Sequence, residues 1–129
     1  MCKLVDFNTN FGTVCKVADI KREYIYNILR TAPICSDIDK IVLFGSTLEE
    51  RCKDASDIDI AIFGDRTESS FLKSRKFEQF EKELYCFGEF QDYDILYFQN
   101  GKKRRTGILE EIQAGEVIYQ KESYLFKNG

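Results

Sequence analysis

The stretch that decides the fold of this chain is Ile41-Val42-Leu43-Phe44-Gly45-Ser46, followed after ten intervening residues by Asp57-Ile58-Asp59-Ile60. The first apolar run predicts a buried strand that ends at a glycine and a helix-starting serine. The second run predicts a strand whose two aspartates, at i and i+2, point to one face. A phosphate-binding turn beside a carboxylate pair is typical of a metal-dependent enzyme that acts on a nucleoside triphosphate.

Length and composition are those of a globular domain. The 129 residues, 43% hydrophobic and 32% charged, predict one domain over residues 1–129 with a core of its own. No apolar stretch approaches the roughly 20 residues of a membrane-spanning helix, and the N-terminus lacks the pattern of a signal peptide. Five cysteines without a CxxC pair are typical of free thiols in a reducing compartment. We therefore expect a cytoplasmic protein with no membrane partner.

The chain contains no histidine, which excludes Ser-His-Asp and Cys-His nucleophile schemes. Catalysis would have to rely on carboxylates, hydroxyls, lysines or a hard cation such as Mg²⁺. A net charge of −3 does not indicate a nucleic-acid-binding protein. The one basic run, 102–105, is interpreted as a solvated loop before a helix. Its alternative role is to attract phosphate, RNA or an acidic partner.

Hydrophobic periodicity and turn residues predict the element order α-β-α-β-α-β-α. This order favours an α/β sandwich, a small sheet flanked by helices. The predicted helices cover 17–30, 46–53, 71–85 and 107–114, the strands cover 38–44, 57–63 and 90–98, and a short extended piece covers 117–119. The segment 4–14 is open between a hairpin and a loop. The phenylalanines at helical spacing, Phe77, Phe80 and then Phe87, are interpreted as core rather than as a platform for stacked bases.

Asp57 and Asp59 form the first part of the candidate site. They share a face with Ala61 and Phe63, while the isoleucines between them point the other way. Two neighbouring carboxylates repel each other unless positive charge lies between them, and two Mg²⁺ ions with oxygen ligands meet that need. The alternative is that Asp57 belongs to a turn and that Asp59 is a solvated strand residue.

Gly45 and Ser46 form the second part. At the N-terminus of a helix over 46–53, their backbone N–H groups and the serine hydroxyl would favour a β- or γ-phosphate. Glu49 stands three residues after Ser46, which is a capping-box pattern. The alternative is an ordinary strand-to-helix turn with Ser46 as its N-cap.

The combined pattern resembles the nucleotidyltransferase superfamily that includes DNA polymerase beta, and within it the minimal nucleotidyltransferase domains. The resemblance covers 38–119, including the helix, glycine and hydrophobic-Tyr ending at 109–119. It implies a mixed sheet, a third carboxylate at Asp94, catalytic and metal-binding roles for Asp57, Asp59 and Asp94, two Mg²⁺ ions, and ATP held at Gly45 and Ser46. Asp92 is a rival for the third position, but the apolar pair after Asp94 matches the family better.

The resemblance also implies a function. Such domains transfer a nucleoside monophosphate from a triphosphate to a hydroxyl, and minimal members commonly act as antitoxins that adenylylate a tyrosine of a HEPN-domain toxin. We expect AMP transfer to a HEPN-domain partner, because the chain is too small to include an acceptor domain of the kind that larger members have. The alternatives are a non-catalytic module that occludes the toxin and an enzyme that adenylylates a small molecule such as an antibiotic.

Two positions depart from the family pattern. Glu50 stands where relatives have a second glycine, and Thr47 stands where a basic residue is usual. A carboxylate at Glu50 would crowd or repel the triphosphate. We therefore expect weak catalysis with the metal ligands intact.

Overall fold

The computed structural model of the chain describes residues 1–88, 90–102 and 106–122. The strands are β1 (Leu4–Asn8), β2 (Val14–Ala18), β3 (Lys40–Phe44), β4 (Ile58–Gly64), β5 (Tyr93–Gln99) and β6 (Glu116–Gln120). The α-helices are α1 (Arg22–Thr31), α2 (Glu68–Leu72), α3 (Arg75–Phe87) and α4 (Thr106–Gln113).

A four-stranded mixed sheet organises the molecule, in the order β5-β4-β3-β6. β4 and β5 are parallel, whereas β3 is antiparallel to both β4 and β6. The predicted mixed sheet flanked by helices is confirmed. β1 and β2 form a separate antiparallel hairpin, so of the two possibilities for 4–14 the structure contains the hairpin.

The alternation along β4 separates two cores. Ile58, Ile60 and Ile62 pack into the larger core, with residues of the hairpin, α1, α2 and α3. Ala61 and Phe63 pack on the opposite face in a smaller core that includes Ile112, Ile108 and Val117 from α4 and β6. The predicted division of faces is therefore correct. Because side chains alternate along a strand, Asp59 lies on the α4 face, beyond the end of the smaller core.

The helix predicted over 17–30 begins later, at Arg22. Val17 lies in β2 instead, fully buried and paired with Val5. Ile20, an apolar residue within the predicted helix, is 39% exposed, whereas Ile25 is buried in the core. The β-branched and alternating residues before Asp19 favour the strand, and the hairpin buries them.

The prediction of a helix over 46–53 is wrong. Gly45–Leu48 forms only a short 3₁₀ turn, its N-cap position is occupied by Phe44 and not by Ser46, and Glu49 is extended. The backbone N–H of Cys2 donates to the Glu50 carbonyl at 3.1 Å. The N-terminal segment is therefore hydrogen-bonded to the stretch in which the helix was predicted.

The helix predicted over 71–85 is two helices, α2 and α3. Ser74 separates them, because its hydroxyl donates to the Phe71 carbonyl at 2.8 Å and accepts from the Phe77 N–H at 3.2 Å. This is an N-cap arrangement that begins α3. Phe77 and Phe80 are buried as predicted, whereas Phe87 is 44% exposed. The extended piece after α4 is a full strand, β6, paired with β3.

None of the helices in the described part of the chain combines the length and apolarity needed to cross a bilayer. Residues 103–105 of the basic run lie outside the described residues, and Lys102 before them is exposed.

Candidate active site

Asp59 and Asp94 lie directly opposite each other on neighbouring parallel strands. Each is the second residue of its strand, β4 and β5 respectively, and the ladder pairs the two positions. Residues in register point to the same face of a sheet whose strands are about 4.8 Å apart. Asp57 is exposed immediately before β4. The fold thus brings the two carboxylate-bearing strand starts together.

Gly45 lies beside Asp59, because β3 pairs Phe44 with Asp59 just before the chain turns at Gly45. Gly45 has a φ of +81°, a conformation that favours glycine. A Cβ added there would collide with the Asp59 carboxylate, whose Cγ would lie 3.2 Å away. Both the backbone conformation and the close approach of Asp59 therefore require a residue without a side chain.

A cleft of about 770 Å³ opens over these residues, and we call it the acidic cleft. Its wall contains four of the five predicted site residues: Gly45, Ser46, Asp59 and Asp94. Asp57 does not line the cleft, but its negative charge helps to raise the pKa of Asp59. Four carboxylates and one guanidinium line the cleft: Glu49, Asp59, Asp94, Glu111 and Arg51.

Asp59 is the carboxyl whose ionisation this environment perturbs. Burial raises its pKa above the usual range, and the negative charges of Asp94, Asp57 and Glu111 raise it further. All the charges that perturb Asp59 within the described part of the chain are thus acidic. A cation bound between these carboxylates would relieve their repulsion.

The donor set suits Mg²⁺, although it is not a complete protein cage. Within 1–88, 90–102 and 106–122, no three acidic, cysteine or histidine side chains are arranged to hold a metal ion by themselves. Mg²⁺ is commonly bound by one or two carboxylates together with substrate phosphates. Asp59 and Asp94, in register beside the open turn at Gly45, fit that mode of binding.

Asp92, the rival of Asp94, does not line the acidic cleft. It lies before β5, and its backbone carbonyl accepts hydrogen bonds from the Ile58 N–H at 3.0 Å and from the Gln91 amide at 2.7 Å. Within the described residues, Asp92 therefore makes its hydrogen bonds through its backbone carbonyl. The register with Asp59 favours Asp94 as the third carboxylate.

Two acidic residues of the wall, Glu111 and Glu49, were not predicted as site residues from the sequence. Glu111 comes from α4, which crosses the sheet face that carries Asp59. Glu49 and Arg51 follow the turn and form an ion pair with each other. For Glu111, the signal in the sequence is the order of elements. A helix between β5 and the last strand crosses one face of the sheet, so its polar side borders the ends of the strands.

The two departures from the family pattern have different structural meanings. Thr47 is fully buried, and its hydroxyl donates to the Phe44 carbonyl at 3.3 Å, so it stabilises the turn and does not face the cleft. Glu50 is exposed and lies outside the cleft wall, which contains Glu49 instead. The expectation that Glu50 crowds the triphosphate is therefore not supported, and Glu49 is the carboxylate in that position.

A second cleft, of about 660 Å³, lies near the other end of β5, between α2 and residues 97–102. Its wall is more apolar and contains a single carboxylate, Glu68, with Lys73 and Lys102. It lacks the facing carboxylates of the acidic cleft. The chemistry available in the described residues is therefore concentrated at the starts of β4 and β5.

A mixed sheet with carboxylates in register beside a glycine turn is the arrangement expected from the resemblance to nucleotidyltransferases. The chain belongs to the polymerase beta nucleotidyltransferase family, because residues 23–124 match the family model described as "Polymerase beta, Nucleotidyltransferase". A search of curated proteins returned no match. The family match confirms the superfamily expected from the sequence and a transferase activity in general.

Proposed function

We propose that this protein transfers AMP from ATP to a hydroxyl on a partner protein. The observation that carries the proposal is the register of Asp59 with Asp94 beside Gly45. This arrangement provides oxygen ligands for Mg²⁺ in the same cleft as the turn at Gly45 and Ser46. It is the arrangement that nucleotidyl transfer needs, in a family where the reaction is the shared chemistry.

The turn would bind the triphosphate. Gly45 and Ser46 both line the acidic cleft, and Ser46 is half-buried with a hydroxyl that can donate to a phosphate oxygen. The absence of a side chain at Gly45 makes room for the Asp59 carboxylate beside this turn, so that a metal ion held by Asp59 would lie next to the triphosphate. Because the 3₁₀ turn is short, the proposal relies on these local donors and not on a helix dipole.

The carboxylates would hold the metal and accept the proton. Asp57, Asp59 and Asp94 are the residues that would bind Mg²⁺, which supplies neutralisation of the triphosphate charge when it is bound. Of the two carboxylates in register, Asp94 is exposed and Asp59 is half-buried, so Asp94 is the one of this pair that an incoming hydroxyl reaches. The hydroxyl oxygen bonds to the α-phosphorus, the bond to the β-phosphate oxygen breaks, pyrophosphate leaves, and Asp94 takes the hydroxyl proton.

The acceptor would come from another molecule. The described helices and strands form the sheet, its covering layers and the hairpin, and no described element forms a separate lobe over the acidic cleft. Transfer requires the acceptor oxygen in line with the α-phosphate, and such positioning contributes up to roughly 7–11 kcal/mol. The resemblance to minimal nucleotidyltransferase domains supports a HEPN-domain toxin as the partner and a tyrosine hydroxyl as the acceptor.

The test is incubation with Mg²⁺, ATP labelled at the α-phosphate and a HEPN-domain protein encoded beside this chain. Label should appear on a tyrosine of the partner and be absent with Asp57→Asn or Asp59→Asn. Asp6→Asn is a matched control, because Asp6 is an exposed aspartate of the hairpin. Labelling of a free small molecule, with the partner unlabelled, would contradict the protein acceptor.

A non-catalytic role is the second candidate. It is favoured by the charge of the acidic cleft, where four carboxylates face one guanidinium that is already paired with Glu49. This balance weakens triphosphate binding. In that case, Asp59→Asn would neutralise the toxin as well as the wild type does, and no label would be transferred by either protein.

A further inference from the structure

Lys21 is a buried lysine close to the site. It lies in the 3₁₀ turn Asp19–Lys21 between β2 and α1 and is 1% exposed. Lysine is almost never fully buried unless it is paired, because removing an ammonium from water is costly. Its Nζ donates to the Gln91 side-chain oxygen at 2.5 Å and to the Asp54 carbonyl at 2.9 Å. The cost of burial is offset by specific contacts in two distant segments.

Gln91 extends this network to both strands of the site. It is 5% exposed, and its amide donates to the Ser56 carbonyl at 3.1 Å and to the Asp92 carbonyl at 2.7 Å. Asp54 and Ser56 lie in the turn that leads into β4, whereas Gln91 and Asp92 immediately precede β5. The network thus joins the segments that precede β4 and β5, just before the first paired residues of the two strands.

The two segments joined by this network are followed by the candidate site residues Asp57, Asp59 and Asp94. The pairing of β4 with β5 must be held in one register, because a slip of one residue moves a side chain to the other face of the sheet. The Ile58 N–H donates to the Asp92 carbonyl at 3.0 Å, which begins that register. Gln91 bonds the same carbonyl, and Lys21 fixes Gln91.

We propose that Lys21 is a positioning residue for the site carboxylates: through Gln91 it fixes the start of β4 against the start of β5, so that Asp59 and Asp94 face each other. The proposal rests on the proposed function for the role of those carboxylates. Burial lowers the pKa of Lys21, and the nearby carboxylates of Asp54 and Asp57 act in the opposite direction.

The test compares Lys21→Met, Gln91→Met and the double variant with the wild type. Methionine keeps an unbranched side chain of similar length and removes the hydrogen bonds. Lys16→Met is the matched control, because Lys16 is an exposed lysine paired with Asp6 in the hairpin. The probe is the Mn²⁺ complex of α,β-methylene-ATP, which cannot transfer AMP, titrated calorimetrically well below the melting temperature of each variant.

Each single variant should bind the probe about 10–100-fold more weakly, as is typical when partners of metal ligands are removed. The double variant should lose no more affinity for the probe than the single variant that binds it more weakly, because both residues act through one network. Lys16→Met should bind like the wild type. If either single variant fails to fold, the other carries the same test.

Folded Lys21→Met or Gln91→Met protein that melts earlier but binds the probe like the wild type would overturn the positioning role and leave a purely structural one. A wild type that binds the probe but labels no partner protein would overturn the proposed acceptor alone. A wild type that does not bind the probe would overturn the site and the positioning role together.

Discussion

The Asp59 carboxylate occupies the space in which a side chain at Gly45 would lie. β3 ends opposite Asp59, and the chain turns at Gly45 with a φ of +81°. The absence of a side chain therefore does two things at one position. It permits the turn, and it lets the carboxylate lie against the backbone that would bind phosphate.

Gly45→Ala should lose both functions of this position. The left-handed backbone costs roughly 1–2 kcal/mol in unfolding free energy for a residue with a Cβ, and the collision should displace Asp59 and abolish Mg²⁺-dependent ATP binding. Denaturant unfolding and calorimetry measure the two effects. Gly12→Ala is the matched control, because Gly12 has a φ of +90° with nothing within 4 Å of an added Cβ. Equal ATP affinity in the two variants would contradict the contact with Asp59.

Asp59→Asn should be at least as stable as the wild type at neutral pH in EDTA. Burial and the neighbouring carboxylates raise the pKa of Asp59, so ionised Asp59 destabilises the folded protein. The folded carboxyl binds a proton more readily than the unfolded one. The advantage of the variant should therefore shrink as pH falls from the raised pKa to the ordinary value of 3.8.

Urea unfolding at several pH values between neutral and acidic measures this trend. Asp92→Asn, which removes an exposed carboxylate outside the acidic cleft, controls for the loss of any surface charge. An advantage of Asp59→Asn that grows on acidification would have the opposite sign and would refute the argument.

Asp94→Asn should lower nucleotidyl transfer by about 100-fold or more, the usual contribution of a proton-accepting group. Asp92→Asn should retain most of the activity, because the backbone of Asp92, and not its carboxylate, makes the described contacts. Single-turnover labelling assays of both variants distinguish the two carboxylates. A larger loss with Asp92→Asn would reverse the assignment.

Glu49→Gln should strengthen ATP binding. Glu49 lines the acidic cleft and pairs with Arg51, so its neutralisation removes a repulsive charge and frees the guanidinium. A charge at 4 Å contributes about 1 kcal/mol in water, which corresponds to a change of about fivefold in affinity. Arg51→Gln should weaken binding by a similar factor.

Glu50→Gln is the matched control for Glu49→Gln, because Glu50 is the neighbouring exposed glutamate outside the cleft wall. Its ATP affinity should equal that of the wild type in calorimetry. A gain with Glu50→Gln and none with Glu49→Gln would show that the sequence-based expectation for Glu50 was correct.

Local rules of the backbone made part of this structure predictable from the sequence. Side chains alternate along a strand, so the faces of Asp59 and Ile60 followed from their positions alone. The glycine at position 45 marked the end of β3 for an equally local reason. The family resemblance added the mixed sheet. Where two local patterns competed, as at Val17 and after Ser46, the hairpin and the N-terminus decided the outcome through long-range contacts.

The sequence by itself predicted the candidate residues Asp57 and Asp59, with Gly45 and Ser46 at the turn, and the family resemblance added Asp94. Only the tertiary structure decided that Asp59 faces Asp94, that Glu49 and Glu111 border them, and that Lys21 reaches Gln91. Strand pairing and burial bring together residues that are distant along the chain, and no local periodicity predicts those contacts. They follow from the packing of the whole sheet and its helices.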